Sequence, residues 1–211
     1  MPRPDSGPRP DSGLLHRFSP GERWVHRSTA LLVGVLTLTG AALYVPSLAL
    51  LVGRRTTVEA AHVVAGLLLP LPTLIGLATS AWLRADVRAL NRMTHTDWVW
   101  LRRRDRRAAG LPVGKFNGGQ KLAASVIAGA GVVLFGTGLL LLAPARVSIP
   151  DSVRQGATIT HDLFTFGLLF LLAGHLWLAY RHPEARAALR TGLVDREYAE
   201  REHPAWAGQV R

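Results

Sequence analysis

The sequence contains no cysteine among its 211 residues. Structural disulfides, thiolate zinc sites, cysteine-ligated iron–sulfur clusters and covalent c-type haem attachment are therefore excluded. Charge is missing as well, but only in places. No charged residue lies between Arg27 and Arg54, from Ala60 to Leu83, from Leu122 to Ala145, or from Leu163 to Tyr180. Residues 1–15 are rich in Pro, Asp, Ser, Gly and Arg and have no apolar core, which is not the pattern of a signal peptide and predicts a disordered tail. No internal repeat is evident, and no base-reading motif accompanies the basic residues, so nucleic acid is not an expected partner.

What is present between the charges is apolar. Hydrophobic residues make up 48% of the chain. Each charge-free stretch reaches the roughly 18–20 residues that cross about 30 Å of hydrocarbon as a helix. Runs this long and continuous exclude barrel strands, so the expected fold is all-α, an integral membrane bundle of four helices. The helices are expected at residues 22–45, 57–83, 118–143 and 153–181. Ser19-Pro20-Gly21-Glu22 fits a capping box with proline at the first helical position, and Thr56-Thr57-Val58-Glu59 offers the same Thr-x-x-Glu arrangement. Pro70 and Pro72 predict a kink in the second span.

The formal net charge is +11, and its placement reads as topology. Five arginines lie in the stretch through Arg27, eight lie with Lys115 between the second and third spans, and six follow from Arg181. The other two loops hold only Arg54, Arg55, Arg146 and Arg154. The positive-inside rule then puts both termini and the 84–117 segment in the cytoplasm of a multi-pass protein of the inner, or cytoplasmic, membrane.

Four of the eight histidines fall in or at the ends of the spans: His26, His62, His161 and His175. A lone intramembrane histidine reads as an interhelical hydrogen bond. Four at two depths read differently, because ionisable residues there are costly and functional. His161 and His175 stand 14 residues apart on one helix, nearly on one face and roughly 21 Å apart along the axis. Depth pairs His62 with His161 externally and His26 with His175 at the cytoplasmic side. Each pair joins two helices, as the axial ligands of one haem must, whereas a structural zinc wants four close ligands. Gly34, Gly40, Gly66, Gly129, Gly131, Gly136, Gly138, Gly167 and Gly174 leave room for a macrocycle, or for close helix packing. Glu59 and Asp162 neighbour the external pair, as orienting acceptors or as solvated helix-end charges. Arg54 and Arg55 could pair with haem propionates or stand as exposed loop charges.

Two strings carry a resemblance. Arg17-Phe18-Ser19-Pro20-Gly21-Glu22-Arg23-Trp24-Val25-His26 and Gly114-Lys115-Phe116-Asn117-Gly118-Gly119-Gln120-Lys121 resemble the cytochrome b, or gamma, subunit of membrane-bound formate dehydrogenases. With the four histidines, the resemblance covers about residues 14–185, leaving both tails and much of the arginine-rich loop outside. Arg27 departs from it, since the family more often has an aromatic residue there.

The resemblance implies four helices enclosing two b-type haems, with His62 and His161 on the external iron and His26 and His175 on the cytoplasmic iron. It implies a quinone site, with menaquinone expected, involving Asn117 and His175, with Gly119 and Gln120 beside it. It implies partners as well: an iron–sulfur subunit and a molybdenum or tungsten catalytic subunit that performs formate oxidation. The chain is then expected to be the electron-transfer and quinone-reducing subunit of an oxidoreductase, with no catalytic residue of its own for formate. The expected organisation is a tail at 1–15, a cytochrome b domain at 16–185 and a cytoplasmic tail at 186–211. Other readings are a cytochrome b subunit of a hydrogenase or thiosulfate reductase, and a non-haem membrane scaffold or metal carrier.

Overall fold

The computed structural model describes residues 13–45, 47–48, 53–105, 110–143 and 147–210. Most of the expected N-terminal tail, together with Arg106, Arg107 and Arg146, lies outside the described residues. A short strand, β1 (Leu14–His16), is followed by helices α1 (Pro20–Tyr44), α2 (Arg55–Leu68), α3 (Leu71–Thr79), α4 (Ala81–Leu90) and α5 (His95–Arg102). Then come α6 (Gly118–Leu142), α7 (Asp151–Arg181), α8 (Pro183–Thr191), β2 (Leu193–Asp195), α9 (Arg196–Glu202) and α10 (Pro204–Ala207).

Four spans are long and apolar enough to cross a membrane: α1, α2 with α3, α6 and α7. Their outer surfaces stay bare, as in lipid they must: Phe170 is 81% exposed and Leu38 73%. They form two hairpins. α1 packs on α2 and α3, α6 packs on α7, and the hairpins meet along α2 and α6. Both described chain ends, with α4, α5 and α8 to α10, gather at one end of the bundle, called here the terminal end. The two remaining connections form the loop end.

Local chemistry explains the boundaries. Ser19 opens α1 with the expected capping box, its hydroxyl accepting from Glu22 N while the Glu22 carboxylate accepts from Ser19 N. The box expected at Thr56 is not used. α2 begins at Arg55, so Thr56 is already inside the helix, and Arg54 caps without a side-chain bond. The second span breaks at Leu69–Pro70. Pro70 has no N–H to give, Leu69 N turns back to Gly66 O, and α3 restarts from the Pro70 carbonyl. That span also ends earlier than expected. Ser80 is extended and caps α4 by accepting from Leu83 N, so Ala81–Leu83 belong to the next helix.

The terminal end holds the best-buried cluster described. Leu15, Ala188, Val194, Tyr198, Ala199, Trp206 and Ala207 pack together, with β1 pairing antiparallel to β2 through Leu15 and Val194. The expected boundary at 15/16 therefore cuts a strand, and the one at 185/186 cuts α8. Residues after 185 fold back onto those before α1.

Candidate functional site

The four span histidines meet in the pairs that depth assigned. The ring centres of His26, on α1, and His175, on α7, are 6.4 Å apart, and those of His62, on α2, and His161, on α7, are 6.5 Å apart. Two imidazoles on opposite sides of one metal, each nitrogen about 2 Å from it and each ring centre about 1.1 Å further, would stand about 6.2 Å apart. Both pairs match that separation, each pair spans the two hairpins, and α7 runs unbroken between them. Among the described residues no three His, Cys, Asp or Glu side chains converge. A bare tetrahedral metal thus lacks its donor set there, while opposed imidazole pairs are the set a macrocycle needs from a protein.

The residues that orient the loop-end pair had no place in the sequence reading. Nδ1 of His62 lies 2.9 Å from the Thr39 hydroxyl, and Nδ1 of His161 lies 2.8 Å from the Thr137 hydroxyl. The next residue is glycine in both cases. A Cβ added at Gly40 would stand 3.5 Å from Cε1 of His62, and one added at Gly138 3.6 Å from Cε1 of His161. A Thr-Gly pair thus precedes each histidine, Thr39 by 23 residues and Thr137 by 24. No hydrogen bond joins Glu59 or Asp162 to these rings among the described contacts, and Arg55 reaches the Leu43 carbonyl at 3.5 Å.

The string 114–121 proves to be a fastener. The Asn117 amide oxygen accepts from Gln120 N at 2.9 Å, and the Gln120 amide oxygen accepts from Asn117 N at 3.0 Å, a capping box at the start of α6. A Cβ on Gly118 would come within 2.5 Å of the Asp97 carbonyl, and one on Gly119 within 2.8 Å of the Trp100 ring, so both glycines let α5 sit against α6. Lys121 donates to Asp97 at 2.7 Å and to the Arg92 carbonyl. Of the quinone candidates, Asn117 and Gln120 thus spend their amide oxygens on the cap and keep their amide NH2 groups as donors. Gly119 has a packing role.

Lys115 lies between two carboxylates. Its ammonium is 2.6 Å from Asp86 and 3.2 Å from Glu22, all three largely buried. Burial and the neighbouring Glu22 carboxylate push Asp86 up to about 7, against the pull of Lys115. Burial works on Asp97 in the same direction, but hydrogen bonds from Lys121 and Thr94 hold it below the ordinary carboxylate range.

The C-terminal helices reach this string too. Nδ1 of His203 is 2.8 Å from the Gly114 carbonyl, which can only accept, so that nitrogen carries the proton and Nε2 accepts from Arg17, 2.9 Å away. Burial, helped by the Arg17 charge, depresses His203 to about 3 and keeps it neutral. Arg17 also donates to the Lys115 carbonyl and stacks on Phe18 and Trp206.

A family model described as prokaryotic cytochrome b561 matches residues 17–191. No curated protein matches the chain.

Proposed function

Because the chain belongs to the prokaryotic cytochrome b561 family, and is thus a multi-pass membrane protein of haem b electron transfer, we propose that it is the di-haem cytochrome b subunit of a formate dehydrogenase complex. The paired imidazoles at two depths carry the reading. His62 and His161 would hold one haem, His26 and His175 the other. Held by such a pair, haem b would supply single-electron exchange at its iron.

The arginine asymmetry supports a cytoplasmic terminal end. Electrons enter at the loop end, on the external side, from an iron–sulfur subunit. Quinone, menaquinone in this reading, is reduced at the terminal end beside His175, where the amide NH2 groups of Asn117 and Gln120 are donors for its carbonyl. Protons drawn there from the cytoplasm, against electrons from outside, would charge the membrane. Formate oxidation itself belongs to a molybdenum or tungsten chain, and the choice of formate rests on the strings at 17–26 and 114–121.

The test is haem content with reduction assays. Purified chain should carry two haems by its reduced-minus-oxidised b-type band, and His62→Ala should carry one, still reducible by added quinol. A ratio of one in wild-type protein rejects the pairing. In the complex purified through this chain, formate should reduce both haems. Reduction by hydrogen but not by formate rejects the partner.

A further inference from the structure

The two histidine pairs differ in one respect that distance alone does not show. Thr39 donates its hydroxyl hydrogen to the Val35 carbonyl at 2.7 Å, one turn back on α1, and Thr137 does the same to the Val133 carbonyl at 2.8 Å on α6. A hydroxyl has one hydrogen to give, and a carbonyl can only accept. Each threonine therefore meets its histidine through an oxygen lone pair, and Nδ1 of His62 and of His161 must be the donor. That fixes the tautomer: Nδ1 holds the proton and Nε2 holds the lone pair a metal takes. The device occurs twice, on separate hairpins, at 2.9 and 2.8 Å. Among the described contacts no hydrogen bond reaches the ring of His26 or His175.

An imidazole whose Nδ1–H is held by an acceptor gives more electron density through Nε2, which favours oxidised over reduced iron. We propose that Thr39 and Thr137 are positioning residues that lock His62 and His161 in the Nδ1–H tautomer and give the haem of that pair the lower reduction potential of the two. This rests on the di-haem reading above. Its consequence is a downhill step from the loop end to the terminal end, built from two hydroxyls.

The experiment is a redox titration of the purified, haem-loaded full chain, followed at the b-type band. Wild type should titrate in two waves, with His62→Ala removing the lower one. Thr39→Val and Thr137→Val keep the side-chain shape and delete the hydroxyl acceptor, leaving only the backbone carbonyls of Leu36 and Leu134 beside the rings. Each should raise the lower wave, increasing the reduced-to-oxidised ratio at fixed ambient potential about fivefold, the order of one neutral hydrogen bond. The upper wave should stay put. Thr39→Ser and Thr137→Ser, which retain the oxygen, should titrate as wild type. If the valine variants lose haem while the serine variants keep it, the hydroxyl is needed to present the ligand, and the order of the potentials is then read from which wave His62→Ala removes. A lower wave unmoved by valine, a shift confined to the upper wave, or equal haem loss in valine and serine variants overturns it. Loss of the upper wave in His62→Ala overturns it as well, whereas both waves surviving in His62→Ala defeat the ligand assignment instead, so the two failures are distinguishable.

Discussion

The pairing of the span histidines was legible from their depth, because any one alone reads as an interhelical hydrogen bond while four ionisable residues at two depths are costly. Thr39 and Thr137 were not legible, because a threonine in a membrane helix satisfies its hydroxyl on its own backbone and draws no attention. Only the repeated Thr-Gly pair, read against the histidine spacing, could have flagged them. Asp86 stands in the sequence as one carboxylate in a basic segment. Its position between Glu22 and Lys115 gives it a testable titration. A carboxyl raised to about 7 in the folded protein, from about 4 when unfolded, binds its proton more tightly in the native state. The stability this contributes is complete below about pH 4 and is lost as pH rises through 7. Thermal unfolding in detergent should therefore show wild-type stability falling from pH 5 to 8, with Asp86→Asn flattening the slope. An equally steep slope in Asp86→Asn would place the titrating group elsewhere.

Elements were legible where one force decides them. The four spans came from length and the absence of charge, and their ends moved only where a cap or a proline overrode the apolar run, at Ser80 and Pro70. The string 114–121 was specific in sequence, yet its specificity is shared between jobs. Asn117 caps α6 through its oxygen and has its NH2 left over, so Asn117→Ala confounds a lost cap, costing about 1 kcal/mol, with a lost donor. Asn117→Asp separates them. Aspartate caps a helix as well as asparagine but has no NH2. We expect Asn117→Asp to melt at the wild-type temperature, load both haems and accept electrons from the partner, while quinone reduction falls about 5- to 150-fold, the range for about 1–3 kcal/mol of one buried hydrogen bond. Unchanged quinone turnover in that variant would confine Asn117 to the cap.

At the scale of the whole molecule, the terminal end is tied together by a highly charged sequence, the segment after 185. The segment after 185 reads as a solvated tail because its arginines and glutamates dominate a short stretch. Its helices are too brief to stand alone and exist through what they pack on. What they pack on is distant in sequence: Ala205 N bonds the Val113 carbonyl, and His203 joins Gly114 to Arg17, which reaches Lys115. The two strings that carried the resemblance, one before α1 and one before α6, are thus held in register by residues beyond both. His203→Ala should expose this. It leaves the Gly114 carbonyl and one Arg17 bond unmatched in a buried place, at a cost of about 1–3 kcal/mol, and it frees the segment that delivers Lys115 to Asp86 and Glu22. The damage should be graded along the bundle. Melting temperature and quinone reduction should both fall, since both depend on the terminal end. On the di-haem reading proposed above, the haem of His62 and His161, roughly 20 Å away along α7, should keep its spectrum and its potential. His203→Asn, whose amide can donate to one partner and accept from the other, should recover part of the loss. If His203→Ala shifts the potential of the loop-end haem as far as that of the terminal-end haem, the C-terminal helices act on the whole bundle and not on one end of it.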